Sequence, residues 1–391
     1  MKPMPPHAGV YTLKMGACLW LVFTLTTIAS CAYALFGAAL LRQFAQNTPI
    51  LGSSRPGLTV LKPLCGAEPG LEANLISFCN QDYNGLLQLV LGVQSPADPA
   101  VTVVKRLNEL FPKRDIELVI DSRQHGANRK ISNLINMSAR VRHAIVVLSD
   151  SDIRVEPCYL QSVVSALSAP KVGLVTCLYY GFSLTGLWSQ LSVAAINEHF
   201  LPSALVGLKL GIARPCTGAT IAARVETLRN IGGFEVFADQ LADDYAIGEA
   251  VRELGSKVAV APILVGHGCA ETSFGELVRH ELRWARTLRL LAPWGYAGLV
   301  LTHATPLALI AAALGGFGAT GWATIALALA CRLSIPIQLK AHSFGGDAPL
   351  WLSPIRDLLS FAVFLASFLS RPLSWRGSRY VLRSDGTLGQ A

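Results

Sequence analysis

Ala144–Arg154 reads AIVVLSDSDIR. Its first five residues are apolar and rich in β-branched side chains, the length and composition of a buried strand. They run straight into Ser149, Asp150, Ser151 and Asp152. In an open α/β sheet, ligands bind beyond the carboxyl ends of the strands. Two carboxylates two residues apart at such an end suit one hard divalent cation, Mg²⁺ or Mn²⁺, shared with substrate phosphates. A nucleoside diphosphate is the ligand this chemistry favours. A D-x-D is also a common polar turn after a buried strand, so the rest of the chain has to decide between the two.

The 391 residues are 52% hydrophobic and only 15% charged, with a mean hydropathy of +0.44. That is too apolar for an ordinary soluble enzyme, and the middle of the chain is too charged for a pure membrane bundle. The net charge of +8 gathers around apolar runs, which fits anionic lipid headgroups better than nucleic acid. No nucleic-acid motif is present. The nine cysteines are scattered and lack C-x-x-C spacing, which points away from a disulfide framework and toward a reducing compartment.

Met15–Leu41 carries no charge and lies between Lys14 and Arg42, which suits an uncleaved membrane-spanning anchor. The basic residues after it place the adjoining domain in the cytoplasm by the positive-inside rule. Residues 43–57 are rich in Pro, Gly and Ser and read as a linker. From Leu58 strand and helix alternate. Strands are expected over 58–64, 86–93, 116–120, 144–148, 172–179, 217–222 and 257–265. Helices are expected over 71–79, 99–111, 130–141, 239–254 and 274–290. Such alternation implies a mostly parallel sheet covered by helices on both faces. Residues 184–211 are apolar and helical, but Asn197, Glu198 and His199 interrupt them, so an interface helix is expected rather than a span.

No charge falls between Arg289 and Arg332, and Gly315-Gly316 divides that run into two expected spanning helices. A third run, Leu358–Ser370, is short. The tail is basic through Arg371, Arg376, Arg379 and Arg383 and is expected in the cytoplasm, which requires an even number of crossings. The third run is therefore expected to be re-entrant or interfacial. The resulting division is 1–57 anchor and linker, 58–290 cytoplasmic domain with interface helices, and 291–391 membrane helices and tail.

Three further groups carry chemistry. LADDY (241–245) sets Asp243 and Asp244 side by side at a helix start. Asp244 is the candidate base that takes a hydroxyl proton as a bond forms, against the plain alternative of a helix cap. On the amphipathic helix before the membrane, Arg283 suits a leaving diphosphate and Trp284 offers a stacking face for a sugar, with His280 beside them. The plain alternative is an interfacial Arg/Trp belt. Lys130 suits a phosphate or a solvated helix start, and His199 an acceptor headgroup or a role-free interface.

D-x-D, then D-D-Y, then H-x-x-R-W, in this order and spacing, resembles the inverting family 2-type glycosyltransferases. VLKPLCG (60–66), VQSPADPA (93–100), NRKISNL (128–134), SDSDIRV (149–155), ADDY (242–245) and SWRGSRYVLRSDGT (374–387) resemble glycosyltransferase family 21, the ceramide glucosyltransferases. RHELRWARTLR and the PWGYAG after it are similar to a bacterial branch associated with hopanoid biosynthesis, which glycosylates bacteriohopanetetrol. The resemblance implies a GT-A-type, Rossmann-like domain. By it, Asp98 binds the base side of the nucleotide, Lys130 lies near the diphosphate and Asp150 holds the metal and donor phosphate. Asp244 is the base, Arg283 and Trp284 complete a Q/R-x-x-R-W motif, and His199 matches an acceptor-side histidine. Two departures stand out. His280 occupies a place usually Gln or Arg, and Asp152 occupies one where the ceramide enzymes have Gly, which gives a fuller D-x-D. Cys216 is out of step with a reactive cysteine of those enzymes.

The expectation is an inverting, metal-dependent transfer of a hexose or N-acetylhexosamine from a UDP-sugar to a membrane-lipid hydroxyl. The lipid would be bacteriohopanetetrol or ceramide. The site would face the cytoplasm at a bacterial inner membrane. One alternative is a processive polysaccharide synthase, which would want Gln at 280 and more spanning helices. Another is an inactive membrane scaffold, against which the carboxylates at 150, 152 and 244 argue.

Overall fold

The computed structural model describes residues 15–47, 51–344 and 348–369, together with the backbone of 7–14, 373–375, 378–382 and 388–390. The chain divides into two compact units. One comprises Met1–Gln43, Ala194–Ile212 and Val278–Leu369; the other comprises Phe44–Val193, Ala213–Leu277 and Ser370–Ala391.

The second unit is built on an eight-stranded sheet. Its strands are β1 (Leu58–Pro63), β2 (Leu87–Val93), β3 (Asp115–Ile120), β4 (Ile145–Leu148), β5 (Ile153–Arg154), β6 (Val172–Ser183), β7 (Ile221–Arg224) and β8 (Lys257–Cys269). Their order is β3-β2-β1-β4-β7-β6-β8-β5. β1 pairs in parallel with both β2 and β4, β2 with β3, and β6 with β8. β7 runs antiparallel between β4 and β6, and β5 antiparallel to β8. β2 (LQLVLGV) is buried along its whole length, as expected of a parallel strand covered on both faces.

The path β1–β2–β3 leaves β1 on one side, and β4 returns on the other. The sheet therefore has its switch point between β1 and β4, where a crevice opens at the carboxyl ends. Helix Arg129–Ser138 contributes Ile131, Leu134 and Met137 to the core. There they meet Val146 and Leu148 of β4, Ile247 and Val251 of helix Asp243–Glu253, and Phe234 and Phe237.

Two strand expectations are corrected. The expected strand 217–222 begins only at Ile221, because Thr217 and Thr220 pair with each other as a tight bridge. β8 continues past Val265 through Gly266-His267-Gly268, held by its pairing with β6 as far as Cys269.

The first unit is helical and apolar. Among the described residues, the helices long and apolar enough to cross a membrane are Met15–Gln46, Ala319–Ala341 and Leu187–Lys209, the last of which starts in the sheet unit. Leu19, Leu21, Val22, Leu25, Ile28 and Leu35 of the first lie exposed, as a lipid-facing surface requires.

The interruption expected at Asn197–His199 does not occur. The backbone passes through a π-helical turn, Ile196–Phe200, between Leu187–Ala195 and Leu201–Lys209, and Asn197 and Glu198 are buried. Leu187–Lys209 thus has the length of a span. The first of the two spans expected between Arg289 and Arg332 is also different. Pro293–Thr302 and Ala304–Leu314 are bent by 69° at His303. The third apolar run begins earlier than expected, as helix Leu352–Ser367. Residues 48–50 of the linker and Arg371, Arg376 and Arg383 of the tail lie outside the described residues, as does the side chain of Arg379.

Candidate active site

Asp150 follows β4 at the switch point, with its N–H donating to Gly218 O at 3.1 Å. Its carboxylate meets Lys130 Nζ at 2.8 Å. The same ammonium lies 3.1 Å from Asp243 Oδ2. Burial works against the charge on Lys130, but Asp150, Asp243 and Asp244 outweigh it and hold the ammonium above its ordinary range.

Lys130 is aimed there by the start of its helix. Asn128, fully buried, caps that helix by accepting from the N–H groups of Lys130 (2.9 Å) and Ile131 (3.2 Å). Its amide also donates to Gln240 O at 2.8 Å and Asp243 Oδ1 at 3.3 Å. One asparagine therefore ties the N-R-K segment to the A-D-D-Y segment, which are far apart in sequence.

Asp244 opens helix Asp243–Glu253 and accepts from two backbone amides, Gly218 N–H at 2.9 Å and Tyr245 N–H at 2.8 Å. Burial and the neighbouring Asp243 carboxylate push it up to about 6, against the opposing pull of Lys130. Gly218 is the joint between the two carboxylates, since it binds the backbone of Asp150 and the side chain of Asp244. A Cβ on it would collide with the Asp150 carboxylate and sit 2.9 Å from Lys130 Nζ. Only glycine allows the backbone that close.

Beneath the D-x-D turn lies Lys62, fully buried at the end of β1. Its Nζ donates to Asp150 O at 2.7 Å and approaches Ser149 Oγ at 3.4 Å, with the Phe78 ring centroid 3.8 Å away. Burial draws it down to about 7, and Asp152 and Asp150 resist that shift. On the other side, His267 Nε2 of β8 lies 3.5 Å from Asp152 Oδ2. Burial opposes its charge, yet Asp152 and Cys269 lift it to about 10. Asp152 Oδ1 is buried without a hydrogen-bond partner. Asp98 accepts from Gly66 N–H at 2.9 Å and Ala100 N–H at 2.9 Å, so it holds the loop after β1 against the helix Ala100–Leu110.

Of the residues singled out by sequence, Lys130, Asp150, Asp243 and Asp244 are brought into one cluster, and Asp152 adjoins it. His280, Arg283 and Trp284 lie on helix Phe274–Leu291, where it counts with the helical unit, and the His280 and Trp284 rings meet edge to face at 5.0 Å. His199 belongs to that unit as well. Sequence reasoning missed Lys62, Gly218 and His267 as parts of the site. Lys62 did carry a signal, since a charged residue inside an otherwise buried strand must have partners. Gly218 carried none.

The model of the family described as glycosyl transferase family 21 matches residues 22–388. The chain belongs to this family. It is 24% identical over 395 residues to ceramide glucosyltransferase 1 of Caenorhabditis elegans, covering 97% of this chain and 82% of that protein. It is 26% identical over 248 residues to ceramide glucosyltransferase 3 of the same organism, covering 62% and 52%. Among solved structures it is similar to the mannosyltransferase PcManGT from Pyrobaculum calidifontis in complex with GDP-Man and Mn²⁺. That match has a TM-score of 0.51 and 18% identity, and covers 89% of this chain and 98% of that one. The likeness shows that the sheet unit of this family 21 member has the GT-A fold.

Proposed function

We propose that this family 21 glycosyltransferase moves a hexose or N-acetylhexosamine, with inversion, from a UDP-sugar to a membrane-lipid hydroxyl. The acceptor is bacteriohopanetetrol or a ceramide, and the reaction runs at the cytoplasmic leaflet of a bacterial inner membrane. The observation that carries the reading is the Lys130–Asp150–Asp243–Asp244 cluster, closed through Gly218 at the sheet's switch point. The ceramide glucosyltransferase relatives support a lipid acceptor, and the apolar helices support a membrane setting.

The residues fit a divalent cation. Asp150 and Asp152 offer hard oxygen donors, and Asp152 Oδ1 is buried and unsatisfied. Mg²⁺ or Mn²⁺ bound there would supply positive charge to the leaving diphosphate. Lys130 adds a fixed cation on the same side. Asp244, raised to about 6, takes the acceptor hydroxyl proton near neutral pH. The acceptor oxygen forms its bond to the sugar's anomeric carbon as the bond to the diphosphate oxygen breaks, and UDP leaves. Asp98 is assigned to the base side, Arg283 to the diphosphate and Trp284 to the sugar. His199 is assigned to the acceptor side by resemblance alone, with His280 and Asp243 in supporting places.

The deciding experiment compares turnover with donor affinity. Asp244→Asn is expected to lower turnover about 10²–10⁴-fold while UDP-sugar binding survives. Near-normal turnover, or donor binding lost in step with activity, would overturn the base assignment. Mass spectrometry of membrane lipids with and without the active protein names the sugar by its mass increment and the acceptor by the lipid that shifts.

A further inference from the structure

The helical unit encloses a polar cluster in which His199, assigned above to the acceptor side, meets His303 and Asp357, two residues the reaction above does not use. His199 sits in the π-helical turn Ile196–Phe200, His303 at the 69° bend, and Asp357 in helix Leu352–Ser367. One nitrogen of each histidine and one oxygen of Asp357 lie within 4.8 Å of one another. His199 Nε2 and His303 Nδ1 are each 3.7 Å from Asp357 Oδ1. That is too long for a hydrogen bond. Two donors bound to one tetrahedral ion at ~2.1 Å lie roughly 3.4 Å apart, so a shift of a few tenths of an ångström would complete the geometry.

The tautomer of His199 sharpens the point. Arg332 Nη2 lies 2.9 Å from Nε2, and a guanidinium can only donate. Nε2 is therefore an acceptor, and the proton sits on Nδ1, 3.4 Å from Thr302 Oγ1. The Nε2 lone pair is thus held by the Arg332 guanidinium, with the Asp357 oxygen 3.7 Å from the same nitrogen. Asp357 Oδ1 and His303 Nδ1 are both buried without hydrogen-bond partners, and Asp357 is fully enclosed.

Charge counting points the same way. Arg356 is matched by Glu281 in a bidentate pair at 2.7 and 2.8 Å. Glu198 and Asp357 then share the single guanidinium of Arg332, at 3.8 and 3.6 Å. Asp357 is thus a buried carboxylate that has only a shared guanidinium opposite it, and a buried charge is costly unless it is well paired.

We propose that His199 Nε2, His303 Nδ1 and Asp357 Oδ1 bind a transition-metal ion of the zinc class. Imidazole donors with one carboxylate select such ions over Mg²⁺ or Ca²⁺. Ligation takes the Nε2 lone pair from Arg332, whose Nη1 keeps its bond to Glu198 O at 3.1 Å. Thr302 then acts as the outer partner that fixes the His199 ring. The ion would join three segments of the helical unit and pin the bend at His303, with its fourth position left to a water or another small ligand. This inference does not rest on the assigned reaction.

The test is metal content of the full chain, purified in detergent without a histidine tag. Asp150→Ala is introduced to silence the other cation site. About one equivalent of zinc by elemental analysis is expected. Replacement by Co²⁺ should give the intense visible absorption of a tetrahedral site. His303→Gln and Asp357→Asn should abolish both signals, and Thr302→Val should weaken Co²⁺ binding about 10–100-fold. Because the Asp150→Ala protein alone must show the metal, misfolding of the other variants cannot hide a failure. Absence of metal and of Co²⁺ absorption in that protein, or metal retained by folded His303→Gln, overturns the proposal. A proton would then balance the cluster.

Discussion

Asp243 and Lys130 act on Asp244 in opposite directions, and this gives a signed prediction. Asp244 works as a base only when ionised, so kcat/KM for the acceptor should fall below about pH 6. Asp243→Asn removes the like charge and should move that acid limb to lower pH. Lys130→Gln removes the compensating cation and should move it to higher pH. The pH profiles of both variants check this, and a shared direction would contradict it. Gly218→Ala tests the joint. Its methyl would strike Asp150 and Lys130, so donor affinity and turnover should both drop, by at least about tenfold each. Asp244→Asn differs from it by sparing donor binding.

Among the elements, the D-x-D turn depends on β1 as much as on β4. Lys62→Met leaves an unbranched apolar chain in the same buried slot but removes the ammonium over Phe78 and the donor to Asp150 O. The expected outcome is weaker Mn²⁺ activation, with the metal concentration for half-maximal rate raised about tenfold or more. A fluorescent nucleotide titration at fixed Mn²⁺ should report the same shift. The helix Arg129–Ser138 offers the complementary case. Asn128→Ala removes its cap, worth about 1 kcal/mol, and also cuts the tie to Asp243 and Gln240. Its activity loss should exceed its loss of thermal stability, because Lys130 loses its aim before the helix loses its place. Chelation with EDTA should abolish turnover, and Mg²⁺ or Mn²⁺ should restore it. Full activity in excess chelator would remove Asp150 and Asp152 from a metal role.

For the whole molecule, the prediction concerns sidedness. The site and the basic tail are proposed to share the cytoplasmic face. In a cysteine-free background, single cysteines at exposed Ser53 and at the C-terminus should both resist an impermeant maleimide applied to intact cells. Labelling of the terminus alone would give the membrane helices an odd number of crossings. The structure leaves Leu187–Lys209 and the bent pair around His303 as the segments on which that count turns.

The alternation of apolar runs and turns was enough, from sequence, for the sheet unit. Six of its strands and the helix Leu71–Cys79 stand within a residue or two of expectation at their starts, because period and punctuation are local properties. Asp150, Asp152 and Asp244 were legible for the same reason: each sits where a local element ends or begins. The long charge-free segments announced the apolar helices. The partners of those carboxylates were not legible. Asn128 to Asp243, Gly218 to Asp150 and Asp244, and Lys62 to Asp150 are contacts across a sheet whose strand order is not the chain order. The polar residues at 197–199 misled because their sequence positions look like a break. Only packing shows that Glu198 and His199 turn inward, where Arg332 and Asp357 of other helices meet them. A sequence determines which groups must be buried or paired; which of them meet is decided when the chain closes on itself.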